Sequence, residues 1–485
     1  MRHQHIIFIV SILFLSSCSE RQELNADSLF ELLPSTKTGI HFKNTLENTP
    51  SLNILNYLYF YNGSGVAIAD FNNDNLPDIY FTANQTADRL YINKGNMSFE
   101  DITLKAAIDN NDGWTTGVTV VDINNDELLD IYVCKVGQYR SIKGNNLLYV
   151  NQGNNEDGIP IFKEQSKQYG LNIVSFATQA AFVDYDQDND LDLYLMNHSV
   201  HPNSNYRKGS KRQLKDPLSG DRLYENRNGL FVDISETSKI FQGNIGYGLG
   251  LAIGDLNNDS FPDIYIGNDF FENDYLYVNN KDKTFEEIIH IHPEKLGHTS
   301  HYSMGNTIAD INNDGLMDIL SLDMLPEDLN TYKRSGKEFG YQTYSYYLKN
   351  GYSPQFMQNT LHLNRGNLNF SELAHVGNVA ATEWSWCPLV ADFDNDGFKD
   401  IYITNGILGA TNDMDFINFI ANDEIQKKLA SNLTHKELQF IEKLPKKKLQ
   451  IIFLKIRMGF NLKMCLMNGF LKTKNHTVME LHLQI

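Results

Sequence analysis

One nine-residue acidic pattern occurs six times in this chain of 485 residues. Its first, fifth and ninth positions are Asp, its third position is Asn or Asp, and an apolar run follows directly. Carboxylate and amide oxygens at alternating positions of a short loop can converge on one cation, so this spacing could hold a metal ion. The four positions in the six copies are Asp70, Asn72, Asp74 and Asp78; Asp122, Asn124, Asp126 and Asp130; Asp184, Asp186, Asp188 and Asp192; Asp255, Asn257, Asp259 and Asp263; Asp310, Asn312, Asp314 and Asp318; and Asp392, Asp394, Asp396 and Asp400.

The ligand chemistry of this pattern favours calcium. Side-chain oxygens at positions 1, 3 and 5, a backbone carbonyl at position 7 and a carboxylate at position 9 give the number of hard oxygen ligands that suits Ca²⁺ better than Mg²⁺. No copy has the Glu at position 12 that closes an EF-hand loop, and the flanks are strand-like. We therefore predict Ca²⁺ loops in β-hairpins, with structural rather than catalytic ions. Position 6 requires a residue that tolerates a positive φ angle, and because Glu127 stands there in the second loop, that loop is the weakest candidate.

The negative charge of the chain is concentrated in these loops. The protein has 41 Lys and Arg residues against 60 Asp and Glu residues, which gives a formal net charge of −19. The motif positions hold 20 carboxylates, and without them the net charge would be +1. Carboxylates packed this closely repel one another unless a cation is present, which supports metal binding. The overall negative charge disfavours nucleic acid as a partner.

The segments around each loop predict four short β-strands per repeat. In the first repeat one strand enters the loop at 65–69, a second leaves it at 78–81, and two more follow at 89–93 and 99–102. The first Asp residues of successive copies lie 52, 62, 71, 55 and 82 residues apart, as expected for propeller blades that carry insertions. We therefore predict an all-β chain that folds as a calcium-loop β-propeller. In four copies a glycine precedes the first Asp by five residues, where neighbouring backbones would approach closely, at Gly65, Gly117, Gly250 and Gly305.

The repeats resemble the FG-GAP or VCBS repeat family, the calcium-loop propeller type also found in integrin α chains. More closely, the chain is similar to the Bacteroidetes lipoproteins, relatives of cartilage acidic protein, that join such a propeller to a C-terminal ASPIC and UnbV domain. The resemblance implies a seven-bladed, integrin α-like propeller at the cell surface with a binding or adhesion role. This chain departs from that pattern, because six blades are recognisable and no ASPIC and UnbV region is found. The segments that carry the resemblance are Asn56 to Asp78, Asn197 to His201, Gly351 to Asn364 and Glu383 to Ile407.

The first residues are typical of a lipoprotein signal peptide. A basic start precedes the apolar stretch Ile6 to Leu15, which is too short to span a membrane. The residues Leu15 to Cys18 resemble a bacterial lipobox, in which cleavage leaves the cysteine as a lipid-carrying N-terminus. We therefore expect lipid attachment at Cys18 and an exported chain that is anchored to the outer membrane and exposed at the cell surface. An ordinary secretory signal is the alternative.

The positions of the acidic loops divide the chain into a propeller and the segments before and after it. Within the N-terminal tether, Phe30 to Phe42 could pair with the last blade and close the ring. The C-terminal tail matches nothing upstream, and a frameshift near Lys446 to Leu449 that truncated a longer protein would explain it. Sequencing of the locus would refute this idea if no shifted frame encodes another Asp-rich loop. The predicted parts are a signal peptide (1–17), the tether (18–60), the propeller (61–408), a short helical segment (409–446) and an aberrant tail (447–485).

Two insertions form the expected ligand surface. The segment Val200 to Asp221 is basic, and Met324 to Gln358 carries six tyrosines, a composition that suits glycans or proteins. We therefore predict a binding or adhesion module for an extracellular glycan or protein, with no membrane contact other than the lipid anchor. Two alternatives stay open: a lyase-type polysaccharide-degrading enzyme on the same scaffold, and a scaffold subunit of an outer-membrane assembly.

The sequence gives little sign of a catalytic site. Trp384 and Trp386 share one face of a strand, which favours burial between blades, with sugar stacking as the alternative. Several histidines lie between strands without a carboxylate and a nucleophile at a spacing that indicates catalysis, so we predict that the protein is not an enzyme. These histidines are His198, His201, His292, His298 and His301.

Overall fold

The computed structural model describes residues 30–110, 112–200, 208–335, 340–421, 425, 433–446, 452–457, 461–466 and 483–484. The predicted signal peptide, the predicted lipid attachment site Cys18 and the loop residue His201 lie outside the described residues. Among the described helices, none combines the length and the apolar composition needed to cross a membrane.

Most of the described strands form six antiparallel four-stranded meanders, and each acidic loop joins the first two strands of one of them. The four strands of each meander pair in chain order. In chain order the strands are, for sheet 1, Val66–Ala69, Asp78–Phe81, Arg89–Asn93 and Phe99–Asp101; for sheet 2, Trp114–Val121, Asp130–Val136, Leu147–Asn154 and Pro160–Glu164; for sheet 3, Ala177–Val183, Asp192–Asn197, Arg222–Asn226 and Phe231–Asp233; for sheet 4, Gly248–Gly254, Asp263–Asn268, Tyr275–Asn279 and Phe285–Glu287; for sheet 5, Asn306–Ala309, Asp318–Ser321, Thr360–Asn364 and Phe370–Glu372; and for sheet 6, Ser385–Ala391, Asp400–Asn405, Ile452–Arg457 and Asn461–Leu466. The other described strands are Leu483–Gln484, at the edge of sheet 1, and the two-stranded parallel sheet of Thr299–Ser300 and Gln355–Phe356.

The first strand of each sheet lies beside the first strand of the next sheet along the chain. The glycines predicted at close backbone approaches occupy these junctions. A Cβ atom on Gly117 would stand 2.5 Å from the carbonyl oxygen of Thr178, and one on Gly305 would collide with the carbonyl oxygen of Trp386. Glycine is therefore needed where the sheets meet most closely, and the prediction from sequence is confirmed.

The first strands of all six sheets, together with the residues just before them, surround one cavity. Tyr57 and Tyr59 of the segment 52–61 line this cavity, and the segment packs in a large apolar cluster. Tyr57 and Phe60 from this segment are fully buried, and their rings contact Trp114 edge-on or tilted. The other contributors to the cluster come from sheets 2 to 6, from the residues next to their strands, such as Trp384, and from the helices Met414–Ile420 and Gln439–Glu442. Six sheets about a shared cavity make an all-β, propeller-like fold, as predicted. The described residues contain no seventh four-stranded sheet.

The termini of the fold differ in detail from the expected arrangement. The sequence suggests the segment Phe30 to Phe42 as a strand that could pair with the last blade and close the ring. In the structure it contains a short helix, and its residues Ile40 and Phe42 pack on sheet 1. Leu483–Gln484 pairs in parallel with the first strand of sheet 1. The tail expected to be aberrant contributes the last two strands of sheet 6.

The described helices are short. Among the described residues of the segment 409–446 are the α-helices Met414–Ile420 and Gln439–Glu442, and the longest described helix lies within the tyrosine-rich insertion. The α-helices are Ser35–Thr38, Ser166–Tyr169, Ile288–Ile291, Leu329–Arg334, Tyr341–Lys349, Met414–Ile420 and Gln439–Glu442, and the 3₁₀ helices are Leu58–Tyr61, Gly209–Gln213 and Pro293–Lys295.

Candidate functional site

The six acidic loops lie at one end of their sheets, between the first and second strands, and share one backbone conformation. Position 6 has a positive φ angle in every loop, as predicted, including +67° at Glu127. Position 4 also has a positive φ angle in every loop, a feature that the sequence analysis did not anticipate. Asn or Gln occupies position 4 in all six copies, and Asn tolerates the left-handed region better than most residues.

Hydrogen bonds between side chains and the backbone hold each loop in shape. In the first loop the Asp70 carboxylate accepts hydrogen bonds from the backbone N–H groups of Asp74 and Asn75, at 3.0 and 2.7 Å. The Asp74 carboxylate accepts one from the N–H of Leu76, at 2.9 Å. The same three bonds recur in all five other loops. The carboxylates at positions 1 and 5 are therefore held on the inside of the loop.

The Asp at position 9 joins the loop to the rest of its sheet. Asp78 is buried, and its two oxygens accept hydrogen bonds from the N–H of Phe71 in the same loop and from the N–H of Asn93 at the end of the third strand. Burial raises the pKa of Asp78 to about 6, against the opposing effect of these hydrogen bonds. The corresponding bonds to both oxygens recur at Asp130, Asp192, Asp263 and Asp318.

Neighbouring loops are joined to one another by side-chain amides. The Nδ2 of Asn151, within the third strand of sheet 2, donates to the carbonyl oxygen of Phe71 in the loop of sheet 1, at 2.9 Å. Asn279 and Asn364 make the same contact to the loops of sheets 3 and 4. The acidic pattern does not predict a role for these Asn residues, but their recurrence two residues after Leu-Tyr or Leu-His pairs is a sequence signal for it. The loops are therefore part of the contact between sheets.

The side chains present in the loops fit a calcium ion. In the third loop, oxygens of Asp184, Asp186 and Asp188 lie within 4.8 Å of one another, and in the sixth loop the same holds for Asp392, Asp394 and Asp400. Convergent carboxylate oxygens with supporting amide and carbonyl oxygens are the donors that Ca²⁺ takes. The first, second, fourth and fifth loops have Asn at position 3, and in the first, second and fifth its amide donates to the Asp at position 5.

Two lysines from the turn between the last two strands of sheet 4 reach acidic loops. Lys283 places its Nζ 2.6 Å from an oxygen of Asp186 in the third loop and 2.6 Å from Glu225. Lys281 places its Nζ 3.2 Å from Asp259 in the fourth loop. Each ammonium offsets part of the negative charge of its loop.

Both predicted insertions lie at the other end of the sheets, between the second and third strands of sheets 3 and 5. A buried ion pair ties them to sheet 4. The Nε of Arg212 in the first insertion donates to Glu272 at 2.7 Å, and the Nη1 of Arg212 donates to the carbonyl oxygen of Gly351 in the second insertion at 3.1 Å. Arg212 is 1% exposed, so one of the basic side chains of the first insertion is buried and not available at the surface.

A cleft opens beside the second insertion. Its walls are the helix Tyr341–Lys349, the strand Gln355–Phe356 that pairs in parallel with Thr299–Ser300, and Phe271 of sheet 4. Ring pairs line it, because Tyr347 stacks on Phe271 with centroids 4.6 Å apart and Tyr344 stacks on Phe356 at 5.7 Å. The full lining is Phe271, His301, Tyr341, Tyr344, Tyr347, Leu348, Tyr352, Ser353, Gln355, Phe356 and Met357.

Polar groups lie at the floor of the same cleft. The Oε1 of Gln355 lies 3.0 Å from the Nδ1 of His301, and its Nε2 donates to the carbonyl oxygens of Phe271 and Glu272. Burial lowers the pKa of His301 to about 4, so the imidazole is neutral near pH 7. The cleft floor is therefore polar and rigidly held.

Several of the histidines and tryptophans named from the sequence as candidate site residues are buried and hydrogen-bonded within the fold. His198 is buried in the central region, with Nε2 3.0 Å from the hydroxyl of Tyr57 and Nδ1 3.1 Å from that of Thr178. Burial lowers the pKa of His198 to about 3. Trp384 and Trp386 are both buried, and the indole N–H of Trp386 donates to the carbonyl oxygen of Gly406. The structure does not bring His292, which is exposed, together with buried His301 in one cluster of metal-binding side chains.

Comparison with known proteins identifies the repeats. A family model described as FG-GAP-like repeat matches residues 70–133, 255–321 and 350–403. These segments contain five of the six acidic loops, and the third loop lies outside them. Cartilage acidic protein 1 of Mus musculus and of Homo sapiens are each 32% identical to the chain over 136 residues. That region covers 27% of this chain and 20% of each relative, so the match spans about a fifth of the relatives' length.

Solved structures are similar only at a low level. The V. cholerae biofilm matrix protein Bap1 matches 64% of this chain and 38% of its own, with 12% identity and a TM-score of 0.31. A triple arginine mutant of AofleA from Arthrobotrys oligospora matches 64% of this chain and 72% of its own, with 10% identity and a TM-score of 0.33. Scores of this size carry no argument about the chain. The acidic loops, the six sheets and the family match together identify the protein as a propeller-like all-β chain that contains FG-GAP-like repeats.

Proposed function

We propose that this protein is a calcium-stabilised, propeller-like module that binds an extracellular glycan or protein at the cell surface. The supporting observation is that the two ends of the sheets differ in structure. At one end the acidic loops are held by hydrogen bonds to their own sheet, whereas the end that carries both insertions has an open, aromatic-lined cleft. Long loops on a rigid scaffold are where proteins build ligand surfaces.

The proposed role of calcium is structural. A cation in a loop would offset the repulsion among three or four carboxylates and would hold the loop, which in turn contacts the neighbouring sheet through residues such as Asn151. The predicted ligands are the four motif positions of each loop. Because Asp78 and its counterparts link the loop to the third strand, ion binding would stiffen each sheet at that end.

The test of binding uses the full chain and a panel of soluble polysaccharides, in calcium and in chelator. Retention of a polysaccharide without shortening of its chains is the expected result. Shortening would overturn the binding proposal in favour of the lyase alternative. If the chain neither retains nor shortens any polysaccharide, cross-linking on intact cells tests a protein ligand, and the lack of a cross-linked partner would then overturn the proposal.

We further propose that the chain is lipid-anchored through Cys18 and displayed on the outer membrane. The support is the sequence pattern of Leu15 to Cys18 after the apolar stretch. Incorporation of a labelled fatty acid into the wild-type chain, and its loss in the Cys18→Ser variant, is the expected result. Equal labelling of both chains would contradict the proposed attachment site.

A further inference from the structure

The helix Tyr341–Lys349 lines the cleft with one face, on which Tyr344 stacks against Phe356. It is nine residues long and has no buried residue. Tyr341, Tyr344 and Leu348 lie at spacings of three and four residues, so they share one face of the helix, and all three line the cleft. Tyr341 is 83% exposed. The helix therefore presents aromatic rings to an open space rather than to the protein core.

The lining of the cleft has a specific chemistry. Six of its residues are Phe or Tyr, and Gln355, His301 and Ser353 add hydrogen-bonding groups. None of the described lining residues is Lys, Arg, Asp or Glu. A charged ligand would lose hydration without gaining a counter-ion here, so the cleft favours a neutral ligand.

We infer that this cleft is a binding subsite for one or more sugar rings of a neutral glycan. The inference rests on the proposed function and names its site and ligand class. A sugar ring has apolar C–H faces that pack on aromatic rings, and this cleft offers such rings on a surface without charged groups. A protein interface is larger and flatter, about 800 Å² per partner, and is enriched in Arg, whereas this cleft is concave and uncharged.

Buried residues behind the cleft hold its lining in place through hydrogen bonds and an ion pair. Gln355 is fixed by hydrogen bonds to the carbonyl oxygens of Phe271 and Glu272, and Glu272 is paired with buried Arg212. The guanidinium of Arg212 also lies 5.6 Å from the ring centroid of Tyr352, a lining residue. A preorganised site loses little conformational entropy on binding, which favours a weakly interacting ligand such as a sugar.

The test compares the full wild-type chain with a Tyr341→Ala/Tyr344→Ala variant and a matched control, Tyr346→Ala. Tyr346 lies on the same helix and is half-exposed, but it does not line the cleft. The probes in affinity gels are neutral polysaccharides (a β-glucan, a mannan and a xylan) and polyuronates (alginate and polygalacturonate). Thermal unfolding of all three chains checks that each one is folded.

The expected result is that a neutral polysaccharide retards the wild-type chain and the control, and that the double variant binds about tenfold more weakly. Equal retardation of all three chains would overturn the assignment to this cleft and leave glycan binding intact. Retardation by polyuronates alone would overturn the neutral ligand class. Loss of retention in Tyr346→Ala as well would show that the helix, and not the cleft rings, is required. Failure of every polysaccharide to retard any chain would overturn this inference together with the glycan part of the proposed function.

Discussion

The side-chain amide of Asn364 in sheet 5 donates a hydrogen bond of 2.7 Å to the carbonyl oxygen of Leu256, which is the second residue of the acidic loop of sheet 4. The same amide donates to the carbonyl oxygen of Met317 in its own sheet, at 3.0 Å. One buried side chain therefore connects two neighbouring loops. Loop geometry and contact between sheets are parts of one structure, which explains why an ion held in a loop would stabilise the whole propeller.

Replacement of this connection should destabilise the protein. In the Asn364→Ala variant the carbonyl groups of Leu256 and Met317 lose a buried hydrogen-bond donor, and we expect a loss of about 1–3 kcal/mol in the free energy of unfolding. Chemical denaturation measures the loss. The control is Asn369→Ala, which removes an exposed Asn of the same sheet. Equal stability of the two variants would contradict the proposed connection.

Relief of backbone strain in the second loop should stabilise the protein. Glu127 has a φ angle of +67°, which costs a residue with a side chain about 1–2 kcal/mol relative to glycine. We expect Glu127→Gly to raise the free energy of unfolding by about 1 kcal/mol. Glu127→Gln keeps the strain and removes the charge, so a gain of the same size in that variant would show that charge, and not φ, is the cause.

The closest junctions between sheets should not accept a methyl group. In the Gly117→Ala variant the new Cβ would stand 2.5 Å from the carbonyl oxygen of Thr178, so the first strands of sheets 2 and 3 must move apart. We expect a lower melting temperature, corresponding to a loss of about 1–3 kcal/mol. The matched control is Gly246→Ala, because its nearest neighbour is an oxygen of Asn268 at 3.7 Å. A melting temperature unchanged in Gly117→Ala would contradict the packing at this junction.

Buried carboxyls away from the loops predict the direction of the pH dependence. Asp88, Asp221 and Asp274 precede the third strands of their sheets and accept hydrogen bonds from tyrosine hydroxyls. Burial raises the pKa of each to about 7. Between pH 4 and 7 these three carboxyls hold protons in the folded state that they release on unfolding, so their contribution to stability in chelator should fall as the pH rises. The slope is about 1.4 kcal/mol per pH unit for each proton of difference.

The variant Asp274→Asn tests this direction. Asn occupies the corresponding position in sheets 2 and 5. The side-chain amide of Asn146 donates to the hydroxyl of Tyr132, and the Oδ1 of Asn359 accepts a hydrogen bond from the backbone N–H of Asp323. The substitution therefore fits the fold. Denaturation in chelator at pH 5, 6, 7 and 8 should show a smaller pH slope for Asp274→Asn than for the wild-type chain. Asp157→Asn, at an exposed position, should keep the wild-type slope. Equal pH slopes for the wild-type chain and Asp274→Asn would contradict the account.

The sequence predicted those features that depend on local pattern. The acidic loops, the strands that flank them and Gly117 at a close junction all follow from residue types at fixed spacing, because a tight turn and a backbone contact constrain the residue at the position itself. The contacts that the sequence did not predict join distant segments. Nothing near Arg212 indicates that it pairs with Glu272, 60 residues away, and nothing near Tyr57 indicates that it lines the central cavity and meets His198.

The central claim is that the acidic loops bind calcium and that binding stabilises the fold. Calorimetric titration and thermal melting of the full chain in calcium, in magnesium and in chelator test it most directly, with Asp314→Asn as a variant of the fifth loop and Asp157→Asn as the control. We predict calcium binding with a stoichiometry reduced in Asp314→Asn, and a melting temperature raised by roughly 5 °C or more by calcium but not by magnesium. Identical melting in calcium and in chelator, with no heat of binding, would contradict the account.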